Sequence, residues 1–282
     1  MRHVEPRSMR PIFIFGTGWR CGSTLIQRLL CSHPDVHIWG ENRGICDHLQ
    51  KIKHTLDGMR FLSRQAEHEF GVRHAGAWIA MLNPEPSECL DAIATFLDRY
   101  LGVPARTTGK HCWGFKEVRH GWSTVAFLRA VFPLCRCILV VRNPASCLAS
   151  ARATEVEGKT QGLLVEVGGP TAFLRHWRSV ASSFARDREP GVMLVRYEDI
   201  QERSATFIEE LAQFVDVSTC DLSPDVLKTV RRGWLEQTPR LAAVDREALQ
   251  DPDVWAVAQW FGYVGPGQAD TLSGGSLASL GD

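Results

Sequence analysis

No stretch of this 282-residue chain reaches the roughly 18 consecutive apolar residues that a membrane-spanning helix needs. Three arginines near its start (Arg2, Arg7, Arg10) are followed by only a short apolar run at 12–15, too little for the core of a secretory signal. Charge of one sign is not in excess either: 32 Lys and Arg face 32 Asp and Glu. That balance excludes a protein that grips nucleic acid through a strongly basic surface, while leaving room for a local basic pocket. Acceptor sites for N-glycosylation are missing, since Asn42, Asn83 and Asn143 all fail the Asn-x-Ser/Thr pattern. These absences predict a cytoplasmic protein with neither a membrane nor a nucleic acid as partner. General disorder is excluded by a composition of 44% hydrophobic and 23% charged residues, and the length fits one large domain or two ordinary ones.

A cysteine framework is also lacking. The nine cysteines are odd in number and unevenly spaced, as expected of free and mostly buried thiols. Metal binding needs repeated close spacings such as paired Cys-x-x-Cys units. The chain offers only Cys135-x-Cys137, whose alternation along a strand puts both thiols on one face, and Cys46-x-His48. His33 and His37 are separated by Pro34 and by a β-like run at 36–39, which excludes a helical ligand pair. No metal is expected.

What is present is an alternation of strands and helices. Residues 11–15 are a short apolar run ended by glycines, a buried strand. Leu25, Ile26, Leu29 and Leu30 then share one helical face, and His33-Pro34 stops that helix. Residues 36–39 and 113–116 read as strands, and 42–110 as mostly helical, with Ser87 capping a helix through Leu101. The near-continuous apolar run at 135–141 suits a parallel sheet buried on both faces. Asn143 then caps a helix with Pro144 at its first position. Residues 155–170 read as a mobile loop and 191–195 as a strand; helices follow near 204–215 and 224–235, capped by Ser204 and Ser223. The pattern predicts an α/β fold with a central parallel sheet, no internal repeat, and a flexible Gly/Ser-rich tail at 265–282.

The strand, glycine-rich loop and helix over 11–30 form an anion site, because loop and helix N-terminal N–H groups point at the ligand. Gly22, Ser23 and Thr24 sit where that N-terminus belongs, and Arg20 adds a fixed cation. The loop is not that of a nucleoside triphosphatase. Gly16 and Gly22 have one residue too many between them, and Gly22 stands where a phosphate-binding lysine is required. The strand at 135–141 ends in Arg142 and not in a magnesium-binding Asp, which suits an anion rather than a metal. Arg142 lies at the usual ligand edge of an open α/β sheet, and Ser150 lies eight residues on, about two helical turns. Both reach one phosphate if their helix packs back over the sheet edge. The plainer alternatives are a salt bridge of Arg142 with Glu198, and a packing role for Ser150.

These two halves together resemble the sulfotransferases that use 3′-phosphoadenosine 5′-phosphosulfate (PAPS). Arg20-Cys21-Gly22-Ser23-Thr24-Leu25 is similar to their 5′-phosphosulfate loop, with Cys21 in place of the usual serine. Arg142 with Ser150 matches their 3′-phosphate pair. His33-Pro34-Asp35, Gly40-Glu41, Trp113-Gly114-Phe115-Lys116 and Arg196-Tyr197-Glu198-Asp199 extend the likeness over about residues 11–200. It is closest to the bacterial-type and tyrosylprotein branch.

The resemblance implies a P-loop-like three-layer fold, a single domain over 1–264, PAPS as sulfuryl donor and 3′,5′-ADP as product. It also implies cofactor-binding roles for Arg20, Cys21, Gly22, Ser23, Thr24, Arg142, Ser150 and Tyr197. Glu41 becomes the first choice for the base, with His37 and His111 as rivals. Lys116 is placed near the acceptor and the bridging oxygen, and Arg20 beside the leaving 5′-phosphate. A second arginine of the tyrosylprotein enzymes is Thr154 here. The alternatives are that Glu41 caps a helix or pairs with surface cations, and that Lys116 pairs with Glu117 or Glu41. The expected acceptor is a hydroxyl on a small molecule, such as a natural-product intermediate, in a pocket to which Trp39, Trp78 and Trp122 are candidates. A small-molecule kinase and a non-catalytic sulfonucleotide-binding homologue are the alternative functions.

Overall fold

The computed structural model describes residues 6–156, 162–187, 189–227 and 241–265. Five strands, β1 (Ile12–Gly16), β2 (Val36–Trp39), β3 (Cys112–Glu117), β4 (Arg136–Val141) and β5 (Val192–Arg196), form one sheet in the order β2-β3-β1-β4-β5. Every pairing is parallel. β1 is buried along its whole length, which explains its unbroken apolar sequence. Phe13 lies between Phe115 and Phe132, with ring centroids 4.8 and 6.1 Å away. Gly114 faces Ile12 so closely that a Cβ would stand 1.6 Å from the Ile12 carbonyl oxygen.

Helices cover the sheet. α1 (Ser23–Cys31) buries Leu25, Ile26, Leu29 and Leu30, the face read from the sequence. Side chains of α1 also close the edge of β2: Gln27 Nε2 donates to the Ile38 carbonyl at 2.9 Å, and Cys31 Sγ accepts from Ile38 N at 3.3 Å. α2 (Ile45–Arg73) is a 29-residue helix that buries only Cys46, Leu49, Ser63 and Ala66. α3 (Pro86–Leu97), α4 (Val103–Thr107), α5 (Trp122–Val131) and α6 (Pro144–Val156) follow. After these come α7 (Leu163–Glu166), α8 (Pro170–Phe184), α9 (Tyr197–Glu202) and α10 (Ser204–Val215). Two further helices, Ala243–Ala248 and Pro252–Trp260, were not marked by the sequence periodicity.

Several expectations are corrected. The residue before α3 is Glu85, with Pro86 at the first helical position, so Ser87 lies inside the first turn. Past Leu97 the helix continues as a π-helical turn, Asp98–Gly102, so Leu101 is helical as expected. Arg203, not Ser204, precedes α10. Part of the loop expected at 155–170 is helical, as α7 and the start of α8. Residues 228–235 of the helix expected at 224–235, and the tail beyond Gly265, lie outside the described residues. The cap on α6 is as read: Asn143 Oδ1 accepts from Ala145 N at 2.9 Å and Ser146 N at 3.3 Å. Cys135 and Cys137 do share a face, with sulfurs 3.8 Å apart. Among the described residues, no helix is long and apolar enough to cross a membrane.

The strand order decides where a ligand belongs. From β1 the chain reaches β2 and β3 on one side, then β4 and β5 on the other. In such a sheet the crevice opens beyond the carboxyl end of the strand where the order reverses. Here that strand is β1, and Gly16 begins the glycine-rich loop.

Candidate active site

All five strands deliver a candidate residue at or just beyond their carboxyl ends. β1 leads into the loop, β2 to Glu41, β3 carries Lys116, β4 leads to Arg142 and β5 to Tyr197.

The loop turns through left-handed conformations at Gly18 (φ 129°), Arg20 (φ 66°) and Gly22 (φ 99°). Gly22 is the residue before α1, and a Cβ there would lie 2.1 Å from the ring of Tyr197. Two demands thus converge on glycine. Replacing Gly22 with alanine is expected to cost about 1–3 kcal/mol from backbone conformation alone. At about 2–4 °C per kcal/mol for a domain of 150–250 residues, the melting midpoint falls by several degrees. A melting midpoint within 1 °C, by differential scanning fluorimetry, would show that the loop is looser than described (about 1 °C being a few tenths of a kcal/mol on the same scale).

Arg20, Arg142 and Ser150 meet in one bonded cluster. Arg20 Nε donates to Ser150 Oγ at 3.0 Å, and Arg142 Nη1 donates to the Arg20 carbonyl at 2.9 Å. The Arg142 guanidinium lies 4.2 Å above the Tyr197 ring. Burial, and then Arg142 itself, push the Arg20 guanidinium below its ordinary value. A bound anion relieves that cost. The backbone of Arg142 is fixed by Trp177 Nε1, which donates to its carbonyl at 3.1 Å. Glu198, the carboxylate considered as a partner for Arg142, accepts from Asn143 N at 3.1 Å and from Tyr263 Oη at 2.6 Å. Tyr197 Oη accepts from Gln201 Nε2 at 3.0 Å.

Cys21 is fully buried, and a Cβ on Gly16 would meet its sulfur at 2.2 Å. Its side chain therefore packs behind the loop, and its contribution to a ligand is its main chain. Burial pushes the thiol above its ordinary value. Ser23 and Thr24 open α1, where the first N–H groups lack intrahelical acceptors. Thr154 Oγ1 donates to the Ser150 and Ala151 carbonyls of its own helix, at 3.3 and 2.8 Å. Beside this cluster, Leu25, Ile200, Gln201, Ser204, Ile208 and Leu227 line a largely apolar pocket of about 190 Å³.

The second cluster centres on Glu41. Lys116 Nζ, on a side chain only 9% exposed, reaches its Oε1 at 2.5 Å. Arg119 Nη2 reaches its Oε2 at 3.2 Å, and Arg119 Nε reaches Glu117 Oε1 at 3.3 Å. Of the two partners considered for Lys116, the structure selects Glu41. The histidine rivals stand elsewhere. His111 precedes β3 and bonds Asp35 at 2.6 Å, at the amino ends of the strands. His37 packs its ring against Trp39, 4.1 Å away, midway along β2. The three tryptophans considered for an acceptor pocket have separate settings: Trp39 donates to the Leu101 carbonyl, Trp78 N donates to Glu69, and Trp122 lies under Arg186.

Arg119, Trp19 and His176 were missed in the sequence, and Glu117 was considered only as a partner of Lys116. His176 on α8 lies against Gly18, stacks on Trp19 at 4.6 Å, and donates from Nε2 to the Val118 carbonyl at 3.1 Å. It thereby ties the loop to the turn that carries Arg119. The extra residue in the loop offered a signal for Trp19; a lone histidine and a strand-end arginine offered none. Burial pushes the His176 imidazole below its ordinary value, against the opposing effect of its bond to Val118. The unfolded chain then binds the proton more readily than the fold. The stability this ring contributes is present above about pH 6.5 and is lost as the pH falls through the folded value below it. The melting midpoint is expected to fall more steeply on acidification below about pH 6.5 in the wild type than in His176→Gln. Parallel curves would remove His176 from that account.

Comparisons with known proteins bear on the family and the fold. A family model described as the sulfotransferase family matches residues 11–221, which span all five strands. No curated protein matches the chain in sequence. Among solved structures, the sulfotransferase domain from the curacin biosynthetic pathway aligns with a TM-score of 0.51 at 15% identity, covering 92% of this chain and 99% of that one. The sulfotransferase domain from the Synechococcus PCC 7002 olefin synthase aligns with a TM-score of 0.49 at 16% identity, over 94% and 100%. A sulfotransferase from Alicyclobacillus acidocaldarius aligns with a TM-score of 0.46 at 17% identity, over 90% and 99%. At these identities the likeness is one of fold, and the curacin-pathway domain carries it. With the family model covering most of its length, the chain belongs to the sulfotransferase family.

Proposed function

We propose that this protein transfers a sulfuryl group from PAPS to a hydroxyl of a small-molecule acceptor in the cytoplasm, such as a natural-product intermediate. The observation that carries the reading is the bonded cluster of Arg20, Arg142 and Ser150 at the reversal point of the sheet. Residues 130 positions apart supply cations and a hydroxyl to one spot. Arg142 and Ser150 suit a 3′-phosphate, while Arg20 and the start of α1 suit the 5′-phosphosulfate. The apolar pocket beside Leu25 and Gln201 suits the flat adenine ring.

The reaction needs positioning and charge stabilisation. The acceptor oxygen forms a bond to sulfur as the bond from sulfur to the 5′-phosphate oxygen breaks. Glu41 takes the acceptor proton, and the leaving electron pair stays on 3′,5′-ADP beside Arg20 and Lys116. No metal is required by this scheme. The balanced net charge and the absence of a spanning helix among the described residues favour a small acceptor over a long polyanion or a membrane substrate.

A thermal-shift comparison of 3′,5′-ADP with Mg-ATP tests the donor. At a hundredfold excess over Kd, a ligand adds about 2.7 kcal/mol. The expected result is a shift of several degrees with 3′,5′-ADP and none with Mg-ATP. The reverse result replaces this reading with a kinase, and a shift with 3′,5′-ADP but no product from PAPS with any acceptor points to a binding protein.

A further inference from the structure

The two cations on Glu41 are anchored differently. Lys116 carries its ammonium on a flexible stem, and among the described residues its ion-pair partner is Glu41. A lysine of this kind is a compact point charge that can exchange partners. Arg119 is a rigid planar fork, and its Nε is rooted on Glu117. Glu117 is fully buried at the end of β3, where its Oε1 also accepts Val118 N at 3.1 Å. On its other side stands His120, 3.9 Å away and tied to Asp47 at 3.2 Å. A buried carboxylate holds its partners tightly, because losing one leaves a charge without compensation. Arg119 is thus fixed where Lys116 is free to turn.

An anion arriving at this edge of the sheet competes with Glu41 for Lys116. The four groups Lys116, Arg119, Glu41 and Glu117 sum to zero charge. A sulfonate brings the set to −1, and without Arg119 the same set would stand at −2 in a half-buried site. We infer that Arg119, rooted on Glu117, is a positioning residue that holds Glu41 in place while Lys116 turns to the sulfonate of the donor. This rests on the PAPS reading given above. It assigns Arg119 a role that acts only on the sulfonate-bearing ligand, whereas a merely structural arginine closing the β3–α5 turn acts on every ligand alike.

Calorimetric titration without acceptor separates the two. PAPS carries the sulfonate and 3′,5′-ADP does not. Arg119→Met is expected to weaken PAPS about tenfold, mid-range for groups coupled in one charged network, while 3′,5′-ADP changes by less than about twofold. Arg119→Lys keeps the charge but not the fork on Glu117, and its PAPS affinity is expected to fall between wild type and Arg119→Met. In a Glu41→Gln background there is no carboxylate to hold, and Arg119→Met is expected to change the ratio of the two affinities by less than about twofold. Equal weakening of both ligands, no weakening of either, or a selective loss that persists in the Glu41→Gln background overturns the inference. Wild-type protein that binds neither nucleotide overturns the PAPS reading itself, and this inference with it.

Discussion

Arg142→Ala is expected to lose 3′,5′-ADP binding by about 30- to 3,000-fold. Truncating one partner of a buried, hydrogen-bonded charge pair costs about 2–5 kcal/mol, and each 1.4 kcal/mol is tenfold in affinity. Arg142 meets the conditions for the upper part of that range. It is 6% exposed, stacks on Tyr197, and is bonded to the loop through the Arg20 carbonyl. In the proposed PAPS site its loss removes a phosphate ligand and also loosens the loop proposed to hold the second phosphate. Arg142→Lys separates these effects. Lysine keeps the charge but gives up the planar stack, so it should fall between wild type and alanine. Titration calorimetry on variants whose melting midpoint confirms folding gives the comparison. An Arg142→Ala protein that binds 3′,5′-ADP within about threefold of wild type would remove Arg142 from the site, since a charge-assisted bond alone is worth more than that.

The parts of this site that were legible in the sequence are those that local patterning controls. The apolar runs of β1 and β4 placed Gly16 and Arg142 at strand ends, because a strand buried on both faces tolerates few polar residues. Glu41, two residues past the half-buried β2, drew its role from the family resemblance. The meeting of Arg20 with Ser150 required both the sheet order and the lie of α6, and it was legible only through the family spacing. Arg119 carried no signal, since a charged residue after a strand is ordinarily solvated; here Glu117, buried at the end of β3, turns Arg119 back to Glu41. The helix caps misread at Ser87 and Ser204 share one cause. Serine is a good cap by type, but Pro86 fixed the start of one helix and Arg203 already preceded the other. The separate settings of Trp39, Trp78 and Trp122 show the limit of composition: a large aromatic is recognisable, but its neighbours are set by tertiary packing.

Glu41→Gln is expected to lower turnover by about 10²- to 10⁴-fold, the range for losing a general base, while leaving 3′,5′-ADP affinity unchanged. The substitution keeps the shape of the side chain and an oxygen facing Lys116 Nζ, so it tests proton acceptance rather than packing. Both carboxylate oxygens of Glu41 are engaged, one by Lys116 and one by Arg119. The base therefore becomes available only when one of those cations finds another anion, and Lys116 is the one with freedom to do so. In the proposed mechanism this orders the events: donor first, then release of one carboxylate oxygen, then proton transfer from the acceptor. Lys116→Met should consequently lose turnover as well, although Glu41 is then freer, because the leaving 5′-phosphate has lost a cation. Turnover is measured as 3′,5′-ADP release from PAPS with a responsive hydroxyl acceptor, and a double variant no slower than the worse single one is the signature of a pair acting as a unit. Turnover retained by Glu41→Gln within about threefold would show that the proton leaves by another route, since a lost general base costs far more. His176, which bonds the Val118 carbonyl beside the loop, would then be the next group to examine.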